Sequence, residues 1–226
     1  MSSKSFAAVL LLLIVGCSSV SPPFERDTTW GRVLAISEEV GNRTIEVVSR
    51  MDPKIRNLLG TGRQTHPTFD IGLNKSCTVE YLDGYTHSSG MVIRTVPPGW
   101  EHLLVHEMVH WHLVSYWDTL PYVVEEGLAC LVSLDLWSKK TGTINPPVMN
   151  DLSKALNLTL DKFHSVKERE TREELTLAGM WVVETLGLTK LRKLSKRAKE
   201  QDLQRIPAEW ILSALPLPWG PAATGL

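Results

Sequence analysis

The chain lacks an excess of charge of either sign: 24 Lys and Arg stand against 25 Asp and Glu, a formal net charge of −1 over 226 residues. Without a basic surplus there is little to neutralise a phosphate backbone, which argues against nucleic-acid binding. Cysteine is scarce, with three residues in all, too few for a disulfide-built scaffold. No apolar run reaches the roughly 20 residues that a membrane-spanning helix needs; the longest extends from Phe6 to Val15. No internal repeat is visible. The length suits one well-filled core better than two domains. Eight tryptophans are the one aromatic surplus; most read as core residues, with the remainder free to line a cleft.

The short apolar run follows a start with a single positive charge at Lys4. That is the form of a secretory signal peptide. Leu13-Ile14-Val15-Gly16-Cys17 resembles the lipobox of bacterial lipoproteins. The resemblance implies a signal over residues 1–16, lipidation of Cys17 and attachment to a membrane through that anchor. Stable anchoring takes two or more acyl chains, since one binds only marginally. Ser18 resembles the residue that sends such lipoproteins to the outer membrane, facing the periplasm. A plain cleavable signal with a soluble periplasmic product is the alternative. Residues 17–27 then form a tether, and residues 28–226 the folded domain. Cys77 and Cys130 remain as an even pair in a compartment that permits disulfides; buried free thiols are the other reading.

Apolar residues at Val33, Ile36, Val40, Val47, Val48 and Met51 fall mostly three or four apart, which predicts a helix from Thr28. Gly41-Asn42 and Asp52-Pro53 are its weak points, and Gly60-Thr61-Gly62 marks a loop. Between Phe69 and Val96 the pattern alternates (Phe69/Ile71/Leu73, Val79/Tyr81, Met91/Ile93) with turn residues between, the pattern of a small antiparallel sheet. Helical periods follow over 100–117, 123–139, 171–186 and 189–201, and a Pro-rich tail begins at Leu215. The expected architecture is α+β: a small antiparallel sheet followed by a mainly helical half.

Within the first of those later helices stands His106-Glu107-Met108-Val109-His110. Two histidines four apart leave one face of a helix together and can share one ion. Imidazole nitrogens suit zinc. Glu107, one step round the helix, is the expected proton acceptor for a water activated by the metal. The flanking residues Leu103, Leu104, Val105, Val109 and Leu113 are apolar, so the helix should be buried. By chance the pattern would occur in a chain of this length on the order of one percent of the time or less. A catalytic zinc also needs a third protein ligand, for which Glu125, Glu126 and, in a different spacing, Asp118 are available. His102 and His112 read as a helix-start and a flanking histidine.

His106–His110 followed by Glu126-Gly127-Leu128-Ala129 resembles the gluzincin group of zinc metallopeptidases. The resemblance implies one zinc ion held by His106, His110 and Glu126, the glutamate just before the glycine, with Glu125 as competitor. Glu107 is then the catalytic residue and a peptide or protein the substrate. The strand around Met91 would hold extended peptide by strand addition. Gly127 would let the second helix approach the first. Two departures stand out. The tyrosine that many members place near the start of the later helix is missing from Leu175-Thr176-Leu177, and Cys130 replaces an aspartate four residues after the ligand. Tyr85, Tyr116, Tyr122 and His164 are the alternative oxyanion partners. The rival expectation is a catalytically idle zinc-binding envelope lipoprotein that holds a partner or staples two helices.

Overall fold

The computed structural model describes residues 22–60, 65–73, 84–113, 117–136, 144–147, 149–166 and 169–216. Cys17, Cys77, Tyr81, Tyr116 and the His164 side chain lie outside them. The elements in chain order are β1 (Phe24–Thr28), β2 (Gly31–Ala35), α1 (Glu38–Leu59), β3 (Thr68–Ile71), β4 (Gly84–His87), β5 (Gly90–Ile93), α2 (Glu101–Leu113), α3 (Tyr122–Leu136), α4 (Met149–Leu156), α5 (Leu160–Ser165), α6 (Arg169–Glu200) and α7 (Ala208–Ala214). The α+β class is as expected: a five-stranded sheet, with one helix inserted, leads into a helical half.

The sheet is mixed, not antiparallel throughout. Its order is β1-β2-β3-β5-β4, with β2, β3 and β5 mutually parallel and the outer two strands antiparallel to their neighbours. Alternation along a strand reports which face is buried, not the direction of the next strand. Direction here is set by α1, which carries the chain from β2 back to the start of β3 as a parallel crossover. β5 is covered on both faces, all four of its residues being buried. It lies between β3 and β4, so it has no free edge. Among the described residues the outer strand beside the helical half is β4, not the strand around Met91.

The N-terminal helix begins later than the spacing indicated. Thr28 ends β1, and residues 29–35 form a turn and β2, in which Val33 and Ala35 point inward and Arg32 outward. Val33, Ile36 and Val40 happen to fall at helical intervals across two different elements. Residues 24–27, assigned above to the tether, belong to β1. Ser37 caps α1 by accepting from the Val40 amide at 3.2 Å. The helix then runs through both supposed breaks. Gly41 is where Phe24 lies against it: a Cβ there would sit 2.1 Å from Phe24 Cδ1. Pro53 removes one backbone donor, yet the inward row Val48, Met51, Asp52, Ile55, Leu59 continues past it. Gly60 ends the helix in the left-handed region at φ 71°.

Among the four later helical periods, 171–186 and 189–201 form α6, bent between them at Gly187, whose φ of 70° and ψ of 158° are non-helical. Three short helices, α4, α5 and α7, had no expectation attached. Each contributes only a few inward residues (Leu152, Ala155 and Leu156; Phe163; Ala208 and Ile211), below what a periodicity can reveal. Leu215 is buried, so the start of the tail is part of the core; the tail beyond Pro216 lies outside the described residues.

α2 is the centre of the molecule. Leu104, Val105, Met108, Val109, Trp111 and Leu113 are all buried, and it packs on α1, α3, β4 and β5. A polar pin ties it to α1: His112, 1% exposed, meets Asp52 Oδ1 at 2.9 Å. Arg56 holds the other Asp52 oxygen at 2.6 Å.

Candidate metal centre

His106 and His110 leave α2 on one side, their rings edge to face with centroids 4.7 Å apart. Their Nε2 atoms are 3.0 Å apart. Glu126, in the second turn of α3, faces both: Oε2 is 3.5 Å from His106 Nε2 and Oε1 is 3.3 Å from His110 Nε2. The three donor atoms lie within 4.8 Å of one another, an arrangement that can hold a metal ion. A tetrahedral cation with bonds of about 2.0–2.2 Å spaces its donors about 3.3–3.6 Å apart. The separations of 3.3 and 3.5 Å, each to a different carboxylate oxygen, fall in that range, and the two imidazole nitrogens, 3.0 Å apart, are slightly closer; two imidazoles with one carboxylate are a donor set that zinc accepts.

Glu126 reaches this position because α3 lies tight against α6. Gly127 meets the α6 backbone so closely that a Cβ would be 2.2 Å from Gly179 C and Met180 N. From the other side, a Cβ on Gly179 would be 1.8 Å from the Val123 carbonyl oxygen. Gly127 was expected to ease the approach of α3 to α2; its near neighbour is α6.

The remaining ring nitrogens are also engaged. Glu125 Oε1 accepts from His110 Nδ1 at 3.2 Å, and its other oxygen is 3.6 Å from Arg205 Nη1. Arg205 Cζ lies 3.9 Å from the centre of the Tyr122 ring, and the side chain also donates to the Leu120 carbonyl, which fastens the start of α3. Cys130, a free thiol, places Sγ 3.6 Å from His106 Nδ1. With both Nδ1 atoms engaged outward, the Nε2 atoms are the ones left to face Glu126, the side from which a metal would be ligated. Glu125 and Glu126 thus divide the two nitrogens of His110. Spacing alone left their roles open.

Electrostatically the cluster calls for positive charge. Burial resists a charge on His106, but hydrogen bonds to Cys130 and Glu126 outweigh it and raise its pKa to about 10. For His110 burial is likewise overcome by Glu126 and Glu125. Glu126 is held well below the usual carboxylate range: the two histidines outweigh its burial.

Glu107 is buried, 5% exposed, and turned toward β4. Thr86 Oγ1 lies 2.8 Å from its Oε2 and 2.9 Å from its carbonyl oxygen, so one hydroxyl proton serves both. Gly84 leaves room for the carboxylate, since a Cβ there would be 3.2 Å from Glu107 Oε1.

Other candidates are placed elsewhere. His102 contacts the Gly99 carbonyl at the start of α2, and His112 serves the pin to Asp52. Asp118 pairs with Lys199 at 2.9 Å. Tyr85 lies beside His87 on β4, with ring centroids 5.9 Å apart, and Tyr122 is covered by Arg205. One feature had no local signal: a cleft of about 500 Å³ beside Glu126 and Cys130, lined also by Phe163, Arg172, Glu173, Thr176 and Leu177. Thr176, named above only for not being tyrosine, is part of its wall. No family model, curated protein or solved structure matches the chain.

Proposed function

We propose that this protein is a zinc-dependent peptidase of the bacterial envelope, hydrolysing peptide bonds with Glu107 as the proton-transferring residue. The observation that carries the reading is the triangle of His106 Nε2, His110 Nε2 and Glu126 with a buried carboxylate, Glu107, next to one of its histidines in sequence. A zinc ion held there supplies Lewis-acid polarisation and makes water acidic enough to react near neutral pH. The chain's own groups do the rest. Glu107 takes the proton of the attacking water and returns it to the departing amine. Thr86 fixes one oxygen of that carboxylate. Glu125 and Cys130 orient the two imidazoles. β4, the outer strand of the described sheet, would pair with an extended substrate.

A second reading, a metal-binding but idle lipoprotein, draws on the thiol of Cys130 standing where a carboxylate would strengthen His106 as a ligand. Substitution separates the two. Glu107→Gln should retain about one zinc per chain and abolish cleavage of a peptide library that the unaltered chain cleaves; cleavage at an unchanged rate removes this mechanism. Attachment through lipid on Cys17, facing the periplasm, belongs to the same proposal. Its check is the intact mass of the mature chain: a chain starting at Cys17 without acyl groups removes the anchor.

A further inference from the structure

We infer that the cleft between α3, α5 and α6 is a substrate subsite for a carboxylate, with Arg172 as its recognition residue. The inference rests on the peptidase reading only in taking the ligand to be a peptide. Cys130 lies one turn beyond Glu126 on α3, and Thr176 and Arg172 lie one and two turns before Gly179 on α6. The two helices touch at Gly127 and Gly179, and the cleft opens beyond that contact. Its walls are thus continuous with the metal cluster at Glu126. Seven helical residues from Gly179 to Arg172 span about 10 Å, the length of about three extended residues.

The chemistry of the lining is uneven. Phe163, buried to 6%, and Leu177, 48% exposed, give it an apolar floor and rim. Against these stand one guanidinium, that of Arg172, and one exposed carboxylate, Glu173, which forms no ion pair with it among the described residues. Arg172 Nε is buried and has no hydrogen-bond partner, and no ion pair engages the side chain among the described residues. Elsewhere the arginines that reach inward are satisfied: Arg205 by Glu125 and Leu120, Arg192 by Leu59, Arg43 by Glu101 and Glu46. A half-buried guanidinium whose buried Nε is left open costs free energy unless a ligand completes it. The group that best completes a guanidinium is a carboxylate, which it can grip through two parallel bonds. Glu126 cannot serve, because its oxygens face the histidines. The ligand is therefore a peptide that carries a carboxylate, from a free C-terminus or an acidic side chain, within a few residues of the cluster. An apolar side chain of the same peptide would rest on Phe163 and Leu177.

Binding rather than turnover tests this. The zinc-loaded full chain carrying Glu107→Gln is titrated calorimetrically with N-acetyl-leucyl-leucine, with its C-terminal amide, and with N-acetyl-leucyl-glutamyl amide. One or both carboxylate peptides should bind about 10- to 100-fold more tightly than the neutral amide; which of them does identifies the source. Adding Arg172→Gln should erase that preference, and Arg172→Lys should restore part of it, with zinc content unchanged in both. Equal binding of all three peptides overturns the subsite. So does a carboxylate preference that survives Arg172→Gln, because the metal would then be its source. The outcomes also part from those of the peptidase reading. Carboxylate preference lost with Arg172→Gln, in a protein that cleaves nothing, supports the subsite without the peptidase. Cleavage by the unaltered chain with no role for Arg172 overturns the subsite and leaves the peptidase.

Discussion

Replacing Gly127 with alanine adds one methyl group at the place where α3 rests on α6. That methyl carbon would lie 2.2 Å from Gly179 C and from Met180 N. Carbon atoms in contact normally sit about 3.5–4.0 Å apart, so the helices must part by roughly 1.5 Å. Both obstructing atoms are backbone, and no rotamer change can relieve them. Overpacking of this kind costs about 1–3 kcal/mol; backbone obstruction places it at the upper end. Alanine returns about 1 kcal/mol through helix propensity, leaving a net loss near 2 kcal/mol. For a chain of this size that lowers the melting midpoint by about 4–8 °C. The functional effect should be larger in proportion. Glu126 is the preceding residue, and ligand distances tolerate only about 0.2 Å, so at the proposed site zinc affinity should fall by roughly tenfold or more. Urea denaturation and competition with a chromophoric chelator measure the two effects. Gly187→Ala is the control: a Cβ there meets nothing within 4 Å, so its positive φ should cost stability while zinc affinity stays unchanged. A Gly127→Ala chain with wild-type midpoint and affinity would refute the argument that this contact positions the ligand.

The two neighbouring glutamates should separate by degree. Glu126→Ala should remove stoichiometric metal, whereas Glu125→Ala, which removes the acceptor from His110 Nδ1, should weaken binding about 10- to 100-fold; the reverse order, by metal analysis and titration, rejects the ligand assignment. Asp52 gives a pH test. Burial raises its pKa, but bonds from His112 and Arg56 more than offset this and leave the folded value below the unfolded one. The stability it contributes is therefore present above about pH 4 and lost as pH falls through the folded value. Asp52→Asn should cost about 1–3 kcal/mol near neutrality, a gap that closes below about pH 4; measured by urea melts with chelator present, a gap constant with pH rejects the account.

What was legible in the sequence had its cause within a turn or two of chain. Four-residue spacing puts His106 and His110 on one face whatever the rest of the molecule does. The bend of α6 follows from Gly187 alone, the one non-helical residue inside its long apolar period. Where elements meet, the same local rules misled. Val33, Ile36 and Val40 match a helical period only because a strand ends and a helix begins between them. Pro53 and Gly41 read as breaks, yet α1 runs on because its inward row lies on the core on both sides of each. The sheet's mixed direction depends on where α1 delivers β3, a property of the crossover that no strand carries in its own pattern.

The metal cluster shows the same division inside a few residues. Adjacent helical positions point about 100° apart, so Glu125 and Glu126 could not both be ligands of the same kind, but nothing local says which one faces His106. The answer comes from α6. With α3 seated on Gly179, Glu126 turns to the Nε2 atoms, and Glu125 turns to His110 Nδ1 and Arg205. Arg172 is further from legibility still, 46 positions from Glu126 in a run of charged residues that reads as a solvated face. The candidate metal ligands can be read locally because two of them come from one turn of helix. The residues that line the cleft beside them come from separate helices, and only packing brings them to one wall.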